Sequence, residues 1–155
     1  MIQLKRILVP TDYSEFSQNA VRYGCELASR FEAELHLLYV MEDTTTMFPD
    51  PEVSMLPLAE IVADQEKYAH QKLEATPESG VDDKIQVVRV VKQGNAFVEI
   101  VRYARNEGID LVVLGTHDRS GLAHALLGSV AEKVVRKAPC PVLTVHHPEH
   151  EFVLP

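Results

Sequence analysis

Leu111-Val112-Val113-Leu114-Gly115-Thr116-His117-Asp118-Arg119-Ser120-Gly121 sets a short apolar run directly against a polar, glycine-bearing loop. Further on, Gly128-Ser129 precedes Val130, Val134, Val135 and Ala138, an apolar stripe at helical spacing that Pro139 stops. Strand, loop, helix is one step of an alternating α/β chain. Glycines let a backbone approach an anion closely, and a helix N-terminus presents free N–H groups with a favourable dipole. The loop from Gly115 to Ser129 therefore suits a phosphate, and the Ser129 hydroxyl adds a further donor. The same residues also fit a purely structural role. Ser129-Val130-Ala131-Glu132 matches a capping box, and Gly115 and Gly121 serve equally as turn residues.

Outward from this segment, Ile7-Leu8-Val9 and the runs 35–40, 87–91 and 142–145 have the same strand length and near-continuous apolar character. Uninterrupted runs of this kind mark strands covered on both faces, as in a parallel sheet. Helical periodicity fills the gaps. Ala20, Gly24, Leu27, Ala28 and Phe31 recur after Ser14, and residues 58–73 carry a weaker stripe. Phe97, Ile100, Val101 and Ala104 follow Asn95, a fitting N-cap, and Gly108 is a fitting stop. The order β-α-β-α-β-α-β-α-β predicts a doubly wound α/β sheet with helices on both faces. The 155 residues fit one domain, over 1–146, with a solvated tail at 147–155. The stretch 41–57, rich in Thr and Pro, breaks the alternation at the carboxyl end of a strand and reads equally as a functional loop or an insertion.

Composition narrows the function. A net charge of -8 disfavours nucleic acid and anionic membrane surfaces as partners. No apolar run reaches the length of a membrane span, and the N-terminus lacks a signal-peptide core, so the cytoplasm is the expected location. Cys25 and Cys140 show neither metal-ligand spacing nor a C-x-x-C pattern and read as small apolar residues. There is no P-loop and no G-x-G-x-x-G fingerprint. The histidines and glutamates from His146 onward have metal-ligand chemistry, but a solvated tail does not preorganise a site. His117 lacks a nucleophile partner for general-base work.

In an open parallel sheet, ligands bind beyond the carboxyl ends of the strands where strand order reverses. Three segments should meet there: Pro10-Thr11-Asp12, Val40-Met41, and the chain from Gly115 onward. Asp12 has two readings, as a ligand contact or as the N-cap of Asp12-Tyr13-Ser14-Glu15.

At both ends the chain resembles the universal stress protein family. Ile7-Leu-Val-Pro-Thr-Asp12-Tyr-Ser is similar to the family's first strand and turn. Gly115-Thr-His-Asp-Arg-Ser-Gly-Leu, Leu126-Leu-Gly128-Ser129-Val130-Ala-Glu-Lys-Val-Val and Ala138-Pro-Cys-Pro-Val-Leu-Thr-Val145 are similar to its C-terminal signature. The resemblance implies a Rossmann-like sheet of five mainly parallel strands in the order 3-2-1-4-5. It also implies a homodimer paired through the last strand, Val142-Leu143-Thr144-Val145, whose apolar edge would otherwise be an association liability.

Nucleotide-binding members carry Gly, two residues, Gly, nine residues, then Gly and Ser or Thr. Gly115 and Gly128-Ser129 match; Asp118 stands where the middle glycine would be. The resemblance implies ATP or another adenine nucleotide, with a Mg ion held near Asp12 through the phosphates. Pro10, Thr11 and Asp12 would line the pocket, and Val40 would offer backbone groups to the adenine edge. Gly115, Thr116, His117, Arg119 and Gly121 would wrap ribose and phosphates, while Gly128, Ser129 and Val130 would donate to phosphate oxygens. An anionic Asp118 beside a polyphosphate favours AMP or ADP over ATP unless Arg119 or a cation offsets it. The implied protein is a stress-response regulator with at most slow ATP hydrolysis. The alternative is a nucleotide-independent interaction dimer of the same fold.

Overall fold

A computed structural model describes residues 1–42, 58–77, 85–116 and 128–146. Its five strands are β1 (Arg6–Pro10), β2 (Glu34–Met41), β3 (Val87–Gln93), β4 (Leu111–Gly115) and β5 (Val142–Val145). Four helices alternate with them: α1 (Glu15–Phe31), α2 (Leu58–Glu74), α3 (Ala96–Asn106) and α4 (Ser129–Lys137). The sheet is parallel throughout, in the order β3-β2-β1-β4-β5. Strand order therefore reverses between β1 and β4. There the crossover helices leave to opposite faces and open a crevice above the strand ends.

The apolar runs become strands because both their faces are covered. Ile7, Val9, Leu35, Leu37 and Val113 pack with Ala20, Val21, Cys25 and Ala28 of α1 and Leu73 of α2. Leu8, Leu38, Val112 and Leu114 pack with Ile100, Tyr103 and Ala104 of α3 and Ala131 and Val134 of α4. Alternate residues of one strand thus feed two cores, as the two-residue period of a strand requires. Gly24 lets α1 lie close on the sheet, because a Cβ there would run into the Val9 side chain. Truncating a central residue such as Leu8, which has no exposed surface, would cost about 2–5 kcal/mol.

Helix ends depart from the sequence reading in informative places. Asp12 is not the cap of α1. Ser14 holds that position with extended geometry, and its hydroxyl accepts the Ser17 N–H. Tyr13 intervenes with a left-handed φ of 63°, which turns the chain between Asp12 and the helix. Ser129 is not a cap either. Gly128 is the N-cap of α4, its carbonyl accepts the Glu132 N–H at 2.9 Å, and no side chain caps the helix. Asn95 does cap α3 through the Val98 N–H, and Gly108 follows its end with φ 60°.

The apolar stripes also shift by a residue or so. The buried side of α4 is Ala131 and Val134, leaving Val130 and Val135 exposed, and Phe31 lies exposed at the end of α1. Cys25 is buried and Cys140 half-buried, both as free thiols. Burial pushes the Cys25 thiol up to about 11, so it stays protonated and inert at neutral pH. Below the sheet, buried His36 sits 2.7 Å from the Tyr103 hydroxyl and 3.2 Å from Glu34. No helix of the described residues is long and apolar enough to cross a membrane.

Candidate functional site

The crevice at the strand-order reversal is a cavity of about 450 Å³. That lies within the range of small-molecule sites, roughly 300–1,000 Å³. The floor is made by the strand ends: Pro10 of β1, Val40 and Met41 of β2, and Leu114 and Gly115 of β4. Thr11, Asp12, Ser14 and Ser17 close one side, Ala96 and Ile100 of α3 another, and Gly128 to Ala131 a third. The three segments expected to converge, at the ends of β1, β2 and β4, all border this one space.

Asp12 sits exposed at the rim, held by its own turn. Its Oδ1 accepts the Ser14 N–H at 2.9 Å and the Ser14 hydroxyl at 2.5 Å. Partial burial pushes the carboxyl up, but the hydrogen bonds from Ser14 and then Ser17 outweigh it and hold the group below its ordinary value of 3.8. Asp12 is therefore a fixed anion at neutral pH. Thr11 is buried instead. Its hydroxyl lies 3.0 Å from that of Ser17 and accepts the Tyr13 N–H at 3.1 Å, which shapes the turn.

Val40 offers backbone groups to the cavity for a reason of register. The Leu38 carbonyl points toward β1 and accepts the Thr11 N–H at 2.9 Å, whereas the Met41 carbonyl points toward β3 and accepts the Gly94 N–H. Backbone groups alternate sides along a strand, so those of Val40 point toward β1 as well. The last β1 partner is Pro10 opposite Leu38, so β1 has already ended at that level. A donor and an acceptor at the strand end are thereby aimed into the crevice.

Gly115 has a steric explanation. A Cβ there would stand 2.7 Å from the Phe16 carbonyl oxygen, so a glycine is needed for β4 to end against the first turn of α1. Thr116 is buried and lies outside the cavity lining. Its N–H donates to Val145, its hydroxyl lies 3.0 Å from His146 Nδ1, and its carbonyl accepts the Gly128 N–H at 2.7 Å. That last bond sets the start of α4 directly above the end of β4. The first N–H groups of a helix have no intrahelical acceptor, so Ser129, Val130 and Ala131 present theirs at the cavity wall. His117, Asp118, Arg119 and Gly121 lie outside the described residues, as does most of the stretch 41–57.

The lining also holds residues the sequence did not single out. Tyr39, Glu42, Gln65 and Tyr68 border the cavity, the last two from α2. Gln65 and Tyr68 are three apart on a helix, which puts them on one face. That spacing was the only signal for them, and it resembled a solvated helix surface. Tyr13 and Tyr39 stack with ring centroids 4.6 Å apart, and the Tyr13 hydroxyl donates to the Ala69 carbonyl of α2 at 2.9 Å. Burial, then the neighbouring Tyr39 and Tyr68, push the Tyr13 phenol well up, so this donor persists at every physiological pH.

The described lining carries two carboxylates, Asp12 and Glu42, and no Lys or Arg. A Mg ion coordinates through one or two carboxylates plus phosphate oxygens, and these residues fit that donor set. Among the described residues no cluster of three or more His, Cys, Asp or Glu could hold a metal alone.

A parallel sheet in this order, with a ligand-sized cavity at the reversal and a helix N-terminus aimed into it, defines a Rossmann-like α/β domain. The chain belongs to the universal stress protein family, whose profile matches residues 3–146. It is 33% identical over 147 residues to universal stress protein MJ0531 of Methanocaldococcus jannaschii, covering 95% of this chain and 85% of that protein. Among solved structures it is similar to MJ0577 of the same organism, at 28% identity and a TM-score of 0.79, covering 96% of this chain and all of the other. A universal stress protein crystallised in complex with cAMP shares the fold at 23% identity and a TM-score of 0.64, covering 94% of this chain and 98% of that one.

Proposed function

We propose that this protein is a cytoplasmic stress-response regulator that binds an adenine nucleotide in the cavity between β1 and β4 and acts as a homodimer. The observation that carries the reading is the pairing of two recognition elements across the cavity. Unsatisfied N–H groups of α4 lie at its β4 end, and the outward backbone edge of Val40 lies at its β2 end. Strands stand about 4.8 Å apart, so these ends are separated by roughly 10 Å, the reach of a nucleoside phosphate. Val40 pairs with the adenine edge, Asp12 holds the ribose or a phosphate-bound Mg ion, and Ser129 and Val130 donate to phosphate oxygens. Pro10, Thr11, Gly115 and Gly128 shape the walls. His117, Arg119 and Gly121 complete the ribose and phosphate contacts from the segment that follows Thr116. A protein of this fold solved with cAMP supports the idea that the scaffold accommodates such a ligand.

The protein acts by binding, with at most slow ATP hydrolysis. The described lining supplies donors and carboxylates but no His, Cys or Lys. The dimer forms through β5, the sheet's edge strand, where Leu143 is 37% exposed. Native mass spectrometry with ATP added at high micromolar concentration tests both parts. A dimer carrying nucleotide is the expected species; an unliganded monomer sinks the reading.

The acidic lining favours a second reading, a dimer of the same fold that works without nucleotide. Asp12 and Glu42 already stand in the cavity, and Asp118 adds a third carboxylate to the sequence of the adjoining loop. An Asp118→Gly variant separates the two. ATP binding gained from none supports the second reading, and binding already present in the wild type excludes it.

A further inference from the structure

The α2 wall of the cavity has no part in the contacts assigned so far. Gln65 and Tyr68 both line the space from one helical face, and Tyr68 is 58% exposed. The Lys72 ammonium lies 5.5 Å from the Tyr68 ring centroid, and the rest of this flat aromatic surface at the cavity mouth is left in water. Ile61, 42% exposed, lies on the same face one turn earlier. The wall is held in place from below: Ala69 and Leu73 are buried, and the Tyr13 hydroxyl ties the Ala69 carbonyl to the turn that carries Asp12. Helix α2 packs against β2 and β3, the side of the sheet remote from α4. A ligand whose phosphates meet the N-terminus of α4 would therefore turn its other end toward α2.

We propose that Gln65 and Tyr68 are the base-selecting wall of this cavity, Tyr68 stacking on the purine ring and Gln65 hydrogen-bonding its polar edge. The inference rests on the nucleotide reading above and adds what that reading lacks, the means of choosing the base. The chemistry fits each residue. A phenol ring presents a π-face to a base, and stacking of this kind recurs wherever proteins hold unpaired bases. A glutamine amide carries donor and acceptor side by side, the complement of an adenine edge with its amino group and ring nitrogen. The backbone groups of Val40 address one edge of the base from the sheet. The Gln65 amide addresses another from the helix, so the two together distinguish adenine from guanine, whose amino and carbonyl groups are differently arranged.

The test compares wild type, Tyr68→Ala, Tyr68→Phe and Gln65→Ala for binding of AMP, ATP, GTP and inorganic triphosphate by calorimetry. Thermal melts check that each variant is folded. Tyr68→Ala should weaken AMP and ATP by about the same factor, roughly tenfold. Its affinity for inorganic triphosphate should equal that of wild type, and Tyr68→Phe should restore nucleotide binding. Gln65→Ala should narrow the ATP-over-GTP preference at least threefold without changing triphosphate affinity. If wild type binds ATP and both alanine variants bind it equally well, the wall is not where the base sits and this inference falls while the nucleotide reading stands. If Tyr68→Ala weakens inorganic triphosphate as much as AMP, Tyr68 acts through the fold and the inference is again overturned. If wild type binds no nucleotide, both fall together.

Discussion

Gly128 donates its backbone N–H to the carbonyl of Thr116 at 2.7 Å. The bond joins the residue after β4 to the residue before α4, so the two ends of segment 117–127 are pinned together. Strand end and helix start thereby become one surface, facing Asp12 and Val40 across the cavity. The closure aims the unsatisfied N–H groups of Ser129, Val130 and Ala131 inward, where the proposed reading puts the phosphates.

Those N–H groups can be removed one at a time. Ser129 is the first residue of α4, where proline is tolerated, and Gly128 before it already has the extended geometry a proline prefers. Ser129→Ala removes only a hydroxyl and should weaken ATP binding a few-fold. Ser129→Pro also removes the N–H and should weaken it by about tenfold or more, equivalent to one charge-assisted hydrogen bond. Both should melt within a few degrees of wild type. Equal ATP affinity in all three proteins would mean that α4 does not hold the phosphates.

Gly115 makes a different prediction, about stability. A methyl group there meets the Phe16 carbonyl at 2.7 Å, so Gly115→Ala must push β4 away from α1. The expected loss is about 1–3 kcal/mol in urea unfolding. Glycine at this position is thus required by packing whether or not a ligand binds. A variant as stable as wild type would mean that strand and helix adjust without strain.

Asp12 gives stability a pH dependence with a definite sign. Its folded carboxyl is held below 3.8, so its contribution is fully present above that value and is lost as pH falls through the lower, folded pKa. Because the group is exposed, the contribution should be no more than about 1 kcal/mol. Asp12→Ala should therefore be slightly less stable than wild type at pH 7, with the gap closing as pH falls below 3.8 and through the folded pKa. Urea unfolding across that range reads the difference, and a gap that widens toward low pH would contradict the assignment.

The β5 edge predicts an assembly state. Leu143 lies outward on the last strand, so Leu143→Lys places a charge where apolar edges would pair. Sedimentation at tens of micromolar should show wild type as a dimer and the variant as a monomer. A monomeric wild type would contradict pairing through β5.

Strand positions and their order of succession were legible in the sequence because burial on both faces leaves uninterrupted apolar runs. The ends of β1, β2 and β4 were legible as a meeting point for the same reason, since topology alone brings them together. Of the cap positions only Asn95 was legible. Asp12 and Ser14 are both good caps, and what decides between them is the left-handed turn at Tyr13, stabilised by stacking on Tyr39 from another strand. The need for glycine at 115 depends on Phe16, almost a hundred residues away. Nothing in the sequence singled out Gln65 and Tyr68, because a cavity-facing and a water-facing helix surface share the same period. Thr116, adjacent to Gly115, turned out to anchor the loop through Val145 and His146 rather than to border the cavity.

The central claim is that the cavity between β1 and β4 binds an adenine nucleotide. Calorimetric titration of the wild-type protein with ATP, ADP and AMP, each with and without Mg, tests it most directly. With Asp12 and Glu42 in the cavity and no Lys or Arg in its described lining, Mg should strengthen ATP binding severalfold and leave AMP nearly unchanged. The account predicts saturable binding at one site per chain for at least one of these nucleotides. Absence of heat with all three at high micromolar concentration, with and without the metal, would contradict it.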